Sequence, residues 1–222
     1  RLEFCRPLNA KGGVFVAPRL EVAQERFNLF SNNDRVAVYT IATRTAALDL
    51  GAQFDQYGEL RLGIQGGQTL PRQEVGLLLG PTDPTYADAG FKARLLFDQL
   101  DNVNFPRAGW SADAEVYDSN TDLGADAAYT KWALGGTLAY TFGESTLRFS
   151  AKAGGKIGSN PLPAYDQFQW GGFLKQSGYS TGQLVGSNIQ FGQLVYFHRI
   201  ARGSLFDGAF GGFSLEVGNY TD

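Results

Sequence analysis

Lys131 to Ala153 reads KWALGGTLAYTFGESTLRFSAKA. Trp132, Leu134, Leu138, Tyr140 and Phe142 share one face of an extended chain, opposite Lys131, Thr137 and Thr141. Beyond Gly143-Glu144, Leu147, Phe149, Ala151 and Ala153 alternate with Arg148, Ser150 and Lys152. A period of two on both sides of a short turn predicts a β-hairpin. Each arm runs about ten residues or more, whereas soluble strands usually run about five or six.

The same pattern recurs outward in both directions. Arg1 to Asn9 reads as a strand tail ending in a turn at Asn9-Ala10-Lys11-Gly12. Val14, Val16, Leu20 and Val22 alternate with Arg19, Glu21 and Glu25, and a polar loop is expected over Asn28 to Asp34. Val36 to Asp55 forms a long strand with Leu48, Leu50, Ala52 and Phe54 on one face and Asp49, Gln53 and Asp55 on the other. Arg44 falls in register with that apolar face, which demands either a bulge or a position above a bilayer. After Gln56-Tyr57-Gly58 come Leu60, Leu62 and Ile64, then an expected loop over Gly66 to Pro84, with a hairpin tip at Val75 to Leu79. Phe91 to Phe97 and Trp110 to Val116 are further alternating strands, and Ile189 to Ile200 is strand-like with an ambiguous register at Gly192. Phe213, Leu215 and Val217 oppose Ser214 and Glu216. No segment longer than a turn has a 3.6-residue period.

The longest interruption, about residues 157–187, contains Phe168 to Tyr179, FQWGGFLKQSGY. A loop of that length without secondary structure is usually functional. Its glycines permit tight bends, and Phe168, Trp170, Phe173 and Tyr179 supply apolar bulk, so it is expected to fold back onto the wall of a barrel.

Composition narrows the class. A net charge of −3 and a pI near 5.2 give no footprint of a nucleic-acid partner. The single cysteine, Cys5, excludes an intramolecular disulfide or a cysteine metal cluster. The absence of methionine points to a processed chain or an excised part, and no signal-peptide pattern occurs. Apolar runs are too short for a transmembrane helix, which leaves a β-barrel open. A soluble β-sandwich or binding module would also alternate, but long strands, short turns alternating with loops, and aromatics near strand ends favour a membrane barrel. Those aromatics are Trp110, Trp132, Tyr140, Phe142, Tyr196 and Phe197. The reading is therefore all-β: an antiparallel transmembrane β-barrel forming one domain over 1–222. Free sheet edges are not tolerated in hydrocarbon, so about ten strands are expected to belong to a larger closure.

Two motifs resemble a known family. Asp98-x-x-Asp101-Asn102-x-x-Phe105-Pro106-x-x-Gly109 resembles the periplasmic-turn motif of the BamA-like outer-membrane superfamily, the bacterial surface antigen barrel. Phe168-x-x-Gly171-Gly172 with Ser177-Gly178-Tyr179 resembles that superfamily's lumen loop. GGFLKQSGY, the preceding Tyr165 to Phe168 and the later LVYFHR (Leu194–Arg199) are similar to the barrel of patatin-like phospholipases of type V secretion. The resemblance implies a sixteen-strand barrel in the bacterial outer membrane, preceded by a covalently linked N-terminal lipase passenger. It implies outer-membrane lipid and the barrel assembly machinery as partners, and no cofactor. The family's loop Arg is Ser177 here, and a hydroxyl cannot make the bidentate contact of a guanidinium. Docking is thus expected through Phe173, Tyr179 and backbone bonds, with Lys175 or Arg199 compensating at the wall acid Glu216.

No catalytic motif is present. The patatin G-x-S-x-G elbow is absent, so lipase chemistry belongs to the passenger, and metal ligation is not expected from isolated Cys5 and His198. A small barrel enzyme would have to use His198, the only histidine. Opposite charges such as Asp49/Arg61 and Glu115/Lys131 are expected to pair across the lumenal face.

Overall fold

The computed structural model describes residues 1–9, 13–31, 33–76, 84–103, 105–202 and 208–221. The strands are β1 (Leu2–Glu3), β2 (Arg6–Pro7), β3 (Val14–Ser31), β4 (Asp34–Phe54), β5 (Gly58–Gly76), β6 (Tyr86–Asp98), β7 (Gly109–Ser119), β8 (Tyr129–Phe142), β9 (Ser145–Ile157), β10 (Phe168–Trp170), β11 (Leu184–Gly186), β12 (Asn188–Ala201) and β13 (Ala209–Thr221). Eleven of these form one antiparallel sheet in the order β1-β3-β4-β5-β6-β7-β8-β9-β12-β13. β1 and β2 both pair with β3, so the sheet has ten side-by-side positions. Among the described residues the path runs from β1 to β13 without a pairing that joins its ends. A single continuous sheet excludes the two-sheet sandwich.

One face of the sheet is covered by the long loop; the other carries exposed Leu48, Leu50, Leu62, Ile64, Leu134, Leu138, Phe149, Leu215 and Val217. An exposed apolar face this continuous is the outer wall of a membrane barrel, in which apolar-out and polar-in residues alternate. Its inner face carries a ladder of charge. Arg61 bonds Glu59 (2.8 Å) and Glu3 (2.5 Å), and Asp49 lies 4.0 Å from both Arg61 and Arg19. Arg61 also stacks over the Phe15 ring at 5.3 Å, and a Cβ on Gly51 would overlap that ring. The expected Glu115/Lys131 pair does not form. Glu115 takes Lys92 at 2.8 Å, while Lys131 reaches Asp166 in the loop.

Several loops expected from composition are strand. β3 continues through Asn28 to Ser31, and β5 continues through Gly66 and Pro71 to Gly76. Past Thr69 the described part of β5 pairs only with β4, and a proline is tolerated on such an edge. The turn at Asn9–Gly12 and the tip at Val75–Leu79 lie largely outside the described residues. No register shift separates Arg44 from Leu48 in either pairing of β4. The bulge alternative therefore fails. β4 has 21 residues, about twice the 9–11 needed to span, so Arg44 stands beyond the apolar band. Gly192 pairs in regular register with Val217 and Ala151; the irregularity in β12 lies between Arg199 and Ala201.

Trp110, Tyr140, Phe142 and Tyr196 gather at one end of the barrel. Phe54 and Phe97 (6.0 Å), Phe97 and Trp110 (6.0 Å), and Tyr196 and Phe213 (5.5 Å) link them into a belt. Trp132 is at the opposite end of β8, and Phe197 is buried against Phe210 on the inner face, so those two do not belong to this belt.

Candidate functional site

The loop between β9 and β12 is built, not structureless. A 3-10 turn at Ala164–Asp166 leads into β10, which pairs with β11 as Phe168↔Gly186, Gln169↔Val185 and Trp170↔Leu184. Leu162 joins Tyr117 and Tyr129 in a buried cluster, and Tyr165 stacks on Tyr86 at 5.0 Å. These contacts hold the base of the loop on β6 to β8. Phe168 sits over Gly154, where a Cβ would come within 2.6 Å of its ring, and Lys131 lies 5.8 Å from the ring centre. Trp170 contacts Phe191 at 4.9 Å between two ammonium groups, Lys152 at 5.2 Å and Lys175 at 5.5 Å. Cation–π contacts of this kind are worth about 0.5–2 kcal/mol each.

Gly171 (φ +117°) and Gly172 (φ +106°) turn the chain at the end of β10 through backbone conformations closed to L side chains. Leu174 (φ +58°) and Gln176 (φ +65°) are also left-handed, a strain that persists only where surroundings impose it. The surroundings are β12 and β13. The Ser177 N–H donates to Glu216 Oε2 at 2.8 Å, and its hydroxyl lies 3.1 Å from both carboxylate oxygens. Ser214 donates to Glu216 Oε1 at 2.8 Å. Gln193, directly opposite Glu216 in register, donates to Leu174 O at 2.7 Å. Tyr220 donates to Gln176 Oε1 at 3.0 Å, and a Cβ on Gly218 would intrude on the Gln176 amide. Glu216 is five residues from the outer end of β13, about 17 Å at ~3.3 Å per residue, so the tip reaches well inside.

Ser177 therefore replaces a guanidinium with two donors, its amide and its hydroxyl. Of the expected docking mode, the backbone bond is present in the Ser177 N–H, while the aromatic and cationic parts are corrected. Phe173 is 86% exposed and Tyr179 is partly exposed, so neither anchors the tip by burial. Lys175 is spent on Trp170, and Arg199 lies 3.6 Å from Glu144 and stacks on Phe210. Gly178 has open space around its Cα and a φ outside the left-handed region, so no crowding requires a glycine there. Gln193, Gln176 and Tyr220 were missed by sequence reasoning; the register that places Gln193 opposite Glu216 was the signal. The returning limb of the loop touches the far side of the sheet, Asn28 donating to Thr181 O and Gln183 to Asn33 Oδ1, each at 3.3 Å.

The turn joining β6 to β7 is fixed by its side chains. Asp101 Oδ1 accepts from the N–H groups of Arg107 (2.8 Å) and Ala108 (3.1 Å), Asn102 from Phe105 (3.1 Å), and Asp98 from Leu100 (3.0 Å). Pro106 is buried, Phe105 is exposed, and Gly109 (φ +97°) leaves no room for a Cβ beside Gln99 O. Desolvation raises the Asp101 pKa, but the backbone donors of Ala108 and Arg107 outweigh it and hold the carboxyl below its ordinary value. That stability is present above the unfolded pKa and lost as pH falls through the folded one. Asp101→Ala should cost about 1 kcal/mol at neutral pH, and the difference from wild type should vanish once Asp101 protonates. Urea unfolding of the refolded protein at both pH values checks this.

His198 Nδ1 lies 2.9 Å from Ser145 Oγ on the outer face, but among the described residues no carboxylate bonds its other nitrogen. The orienting acid of a nucleophilic triad is thus missing from that pair. No group of three or more potential metal ligands occurs among the described residues.

A family model described as the Omp85 superfamily domain matches residues 8–215. No curated protein matches the chain. Among solved structures, BamA from Haemophilus ducreyi lacking POTRA domains 1–3 superposes with a TM-score of 0.71 at 14% identity, over 91% of this chain and 46% of that one. The chain thus spans about half of the BamA chain it matches, and the likeness at this identity shows the fold. The sheet, its apolar outer face and the family match make this a β-barrel of the bacterial outer membrane, and the chain belongs to the Omp85 superfamily.

Proposed function

We propose that this barrel anchors a covalently linked N-terminal patatin-like phospholipase in the outer membrane and helps to display it, with its lumen closed by the docked loop. The observation that supports the closed lumen is the convergence of the Ser177 N–H and hydroxyl, at the loop tip, on Glu216 of the wall. The choice of passenger rests on the resemblance of GGFLKQSGY and LVYFHR to barrels of that class. In this reading further strands complete the wall to sixteen, the barrel assembly machinery inserts it, and hydrolysis belongs to the passenger. This segment supplies membrane placement and no catalytic group.

The test uses the full-length protein in isolated outer membranes. Phospholipase activity should co-fractionate with the barrel and disappear when the serine of the passenger's G-x-S-x-G elbow is replaced by alanine. A mature chain without such an elbow, or membranes without hydrolysis, would remove the passenger assignment and leave the barrel intact.

A further inference from the structure

On the outward face of β4 the apolar series Phe54, Ala52, Leu50, Leu48, Ala46 ends at Arg44. Phe54 and Arg44 are ten residues apart, the length that carries a tilted strand across hydrocarbon. Arg44 therefore emerges at the far boundary of the bilayer. Asn28 and Asn33, near the turn from β3 to β4, bond Thr181 and Gln183 of the long loop, so this is the long-loop end. Outer-membrane barrels carry their longer loops on the outside of the cell.

Strand register assembles further cations with Arg44. Arg44 pairs with Gln68 on β5, and further out Thr40 stands between Arg26 on β3 and Arg72 on β5. Directly opposed residues hold their Cβ atoms about 4.5–5.5 Å apart on one face. Gln24, Thr40, Ala42, Leu70 and Arg72 line one recess, so these side chains share the outward side. Glu74 bonds Thr40 and lies 3.8 Å from Arg26, whose side chain is still 77% exposed. Arg44 and Arg72 are exposed, and among the described residues no carboxylate pairs with either. The described part of this strip thus carries three guanidiniums against one carboxylate, in a chain of net charge −3. Arg72 lies four residues beyond Gln68, about 13 Å further along the strand. That spacing suits two phosphates on one headgroup, each met by the planar donor fork of a guanidinium.

Toward the hydrocarbon on the same face, Val16, Leu48, Leu62, Ile64, Phe91 and Val116 line a shallow depression of about 540 Å³. Leu48 is four residues from Arg44, about 13 Å along β4 and ~9 Å in depth at a strand tilt of about 45°. Asp118, at the far edge of the depression, is two strands from β5 and is engaged by the Thr130 hydroxyl at 2.5 Å. An acyl chain in the depression therefore brings its own headgroup to the level of Arg44.

We propose that this face binds a bisphosphorylated glycolipid of the outward leaflet, of the lipid A type. Arg44 and Gln68 hold one phosphate, Arg72 and Arg26 hold the second, and an acyl chain lies between Leu48, Ile64 and Phe91. Phosphatidylglycerol, with a single phosphate, fills only half of this set, and free phosphate gains nothing from the depression.

The experiment is native mass spectrometry of the full-length protein released from nanodiscs that hold equal amounts of diphosphoryl lipid A, monophosphoryl lipid A and phosphatidylglycerol. Wild type should retain the diphosphoryl form in preference. Arg44→Gln and Arg72→Gln should each weaken its retention about tenfold, the effect of one charge-assisted contact. Arg202→Gln, whose exposed side chain is at the short-turn end, should not. Both test substitutions alter exposed side chains, and the unboiled gel mobility checks that each variant is folded. Equal retention of the three lipids by wild type, wild-type retention by Arg44→Gln and Arg72→Gln, an equal loss in Arg202→Gln, or displacement of the lipid by excess inorganic phosphate would each overturn the proposal.

Discussion

Glu216→Ala should undock the loop tip and raise conductance through the barrel. Of the donors on this carboxylate, the Ser177 N–H and hydroxyl come from the loop, and hydrogen bonds to a charged group contribute about 1.5–3 kcal/mol each. Every 1.4 kcal/mol is tenfold in the ratio of docked to undocked loop, so the loss is at least about tenfold and on the order of a hundredfold if two bonds count fully. The base of the loop stays in place, because Leu162, Tyr165 and Phe168 pack on other strands. The expected readout is larger and more frequent current steps in planar bilayers, with the unboiled gel mobility of a folded barrel preserved. Ser177→Ala should have a smaller effect, since its amide still donates at 2.8 Å, and Glu216→Gln should fall between the two. Equal conductance across all four proteins would mean that this contact does not control the lumen.

Gly109→Val should give the largest loss of folded barrel. A β-branched residue at φ +97° is strained by itself, at about 1–3 kcal/mol, and its Cβ would overlap Gln99 O across the turn. Gly124→Val separates the two effects. Its φ of +99° is nearly the same, but nothing lies within 4 Å of a Cβ there, so it should show the backbone strain without the overlap. Folded yield, read as the heat-modifiable fraction in outer membranes, should fall much further for Gly109→Val. Matching losses would show that the close approach to Gln99 adds nothing.

The transmembrane part of the fold was legible because hydrocarbon on one side and water on the other impose a two-residue period on β6 to β9, β12 and β13. Where β3, β4 and β5 rise past the membrane, both faces meet water or the loop, and the alternation that marks a strand is lost. Residues Asn28 to Ser31 and Gly66 to Gly76 therefore read as loops although they are paired. Arg44 was the visible symptom of that extension.

For the site, alternation placed Glu216 on the inner wall, and the glycine pair marked the turn of the loop. The contact itself was not legible. Backbone bonds were expected at the tip, but a sequence does not show which N–H reaches Glu216, and Ser177 reads as too weak a partner when only its hydroxyl is counted. Phe173 suffered the opposite error: apolar bulk suggested burial, yet the backbone after Gly172 leaves its ring in the open. Phe197 was misplaced because aromatic type alone does not report which face a residue occupies.

The most direct measurement of the docked loop is distance-limited cross-linking in intact cells. With Cys5 changed to Ser, cysteines at 176 and 218, which leave Ser177 and Glu216 in place, are introduced in the full-length protein and treated with a short bifunctional thiosulfonate. Efficient cross-linking that leaves the unboiled barrel mobility intact is expected, and little for a control pair at 173 and 218. A folded barrel that fails to cross-link at 176 and 218, or that links both pairs equally, would contradict the docked loop.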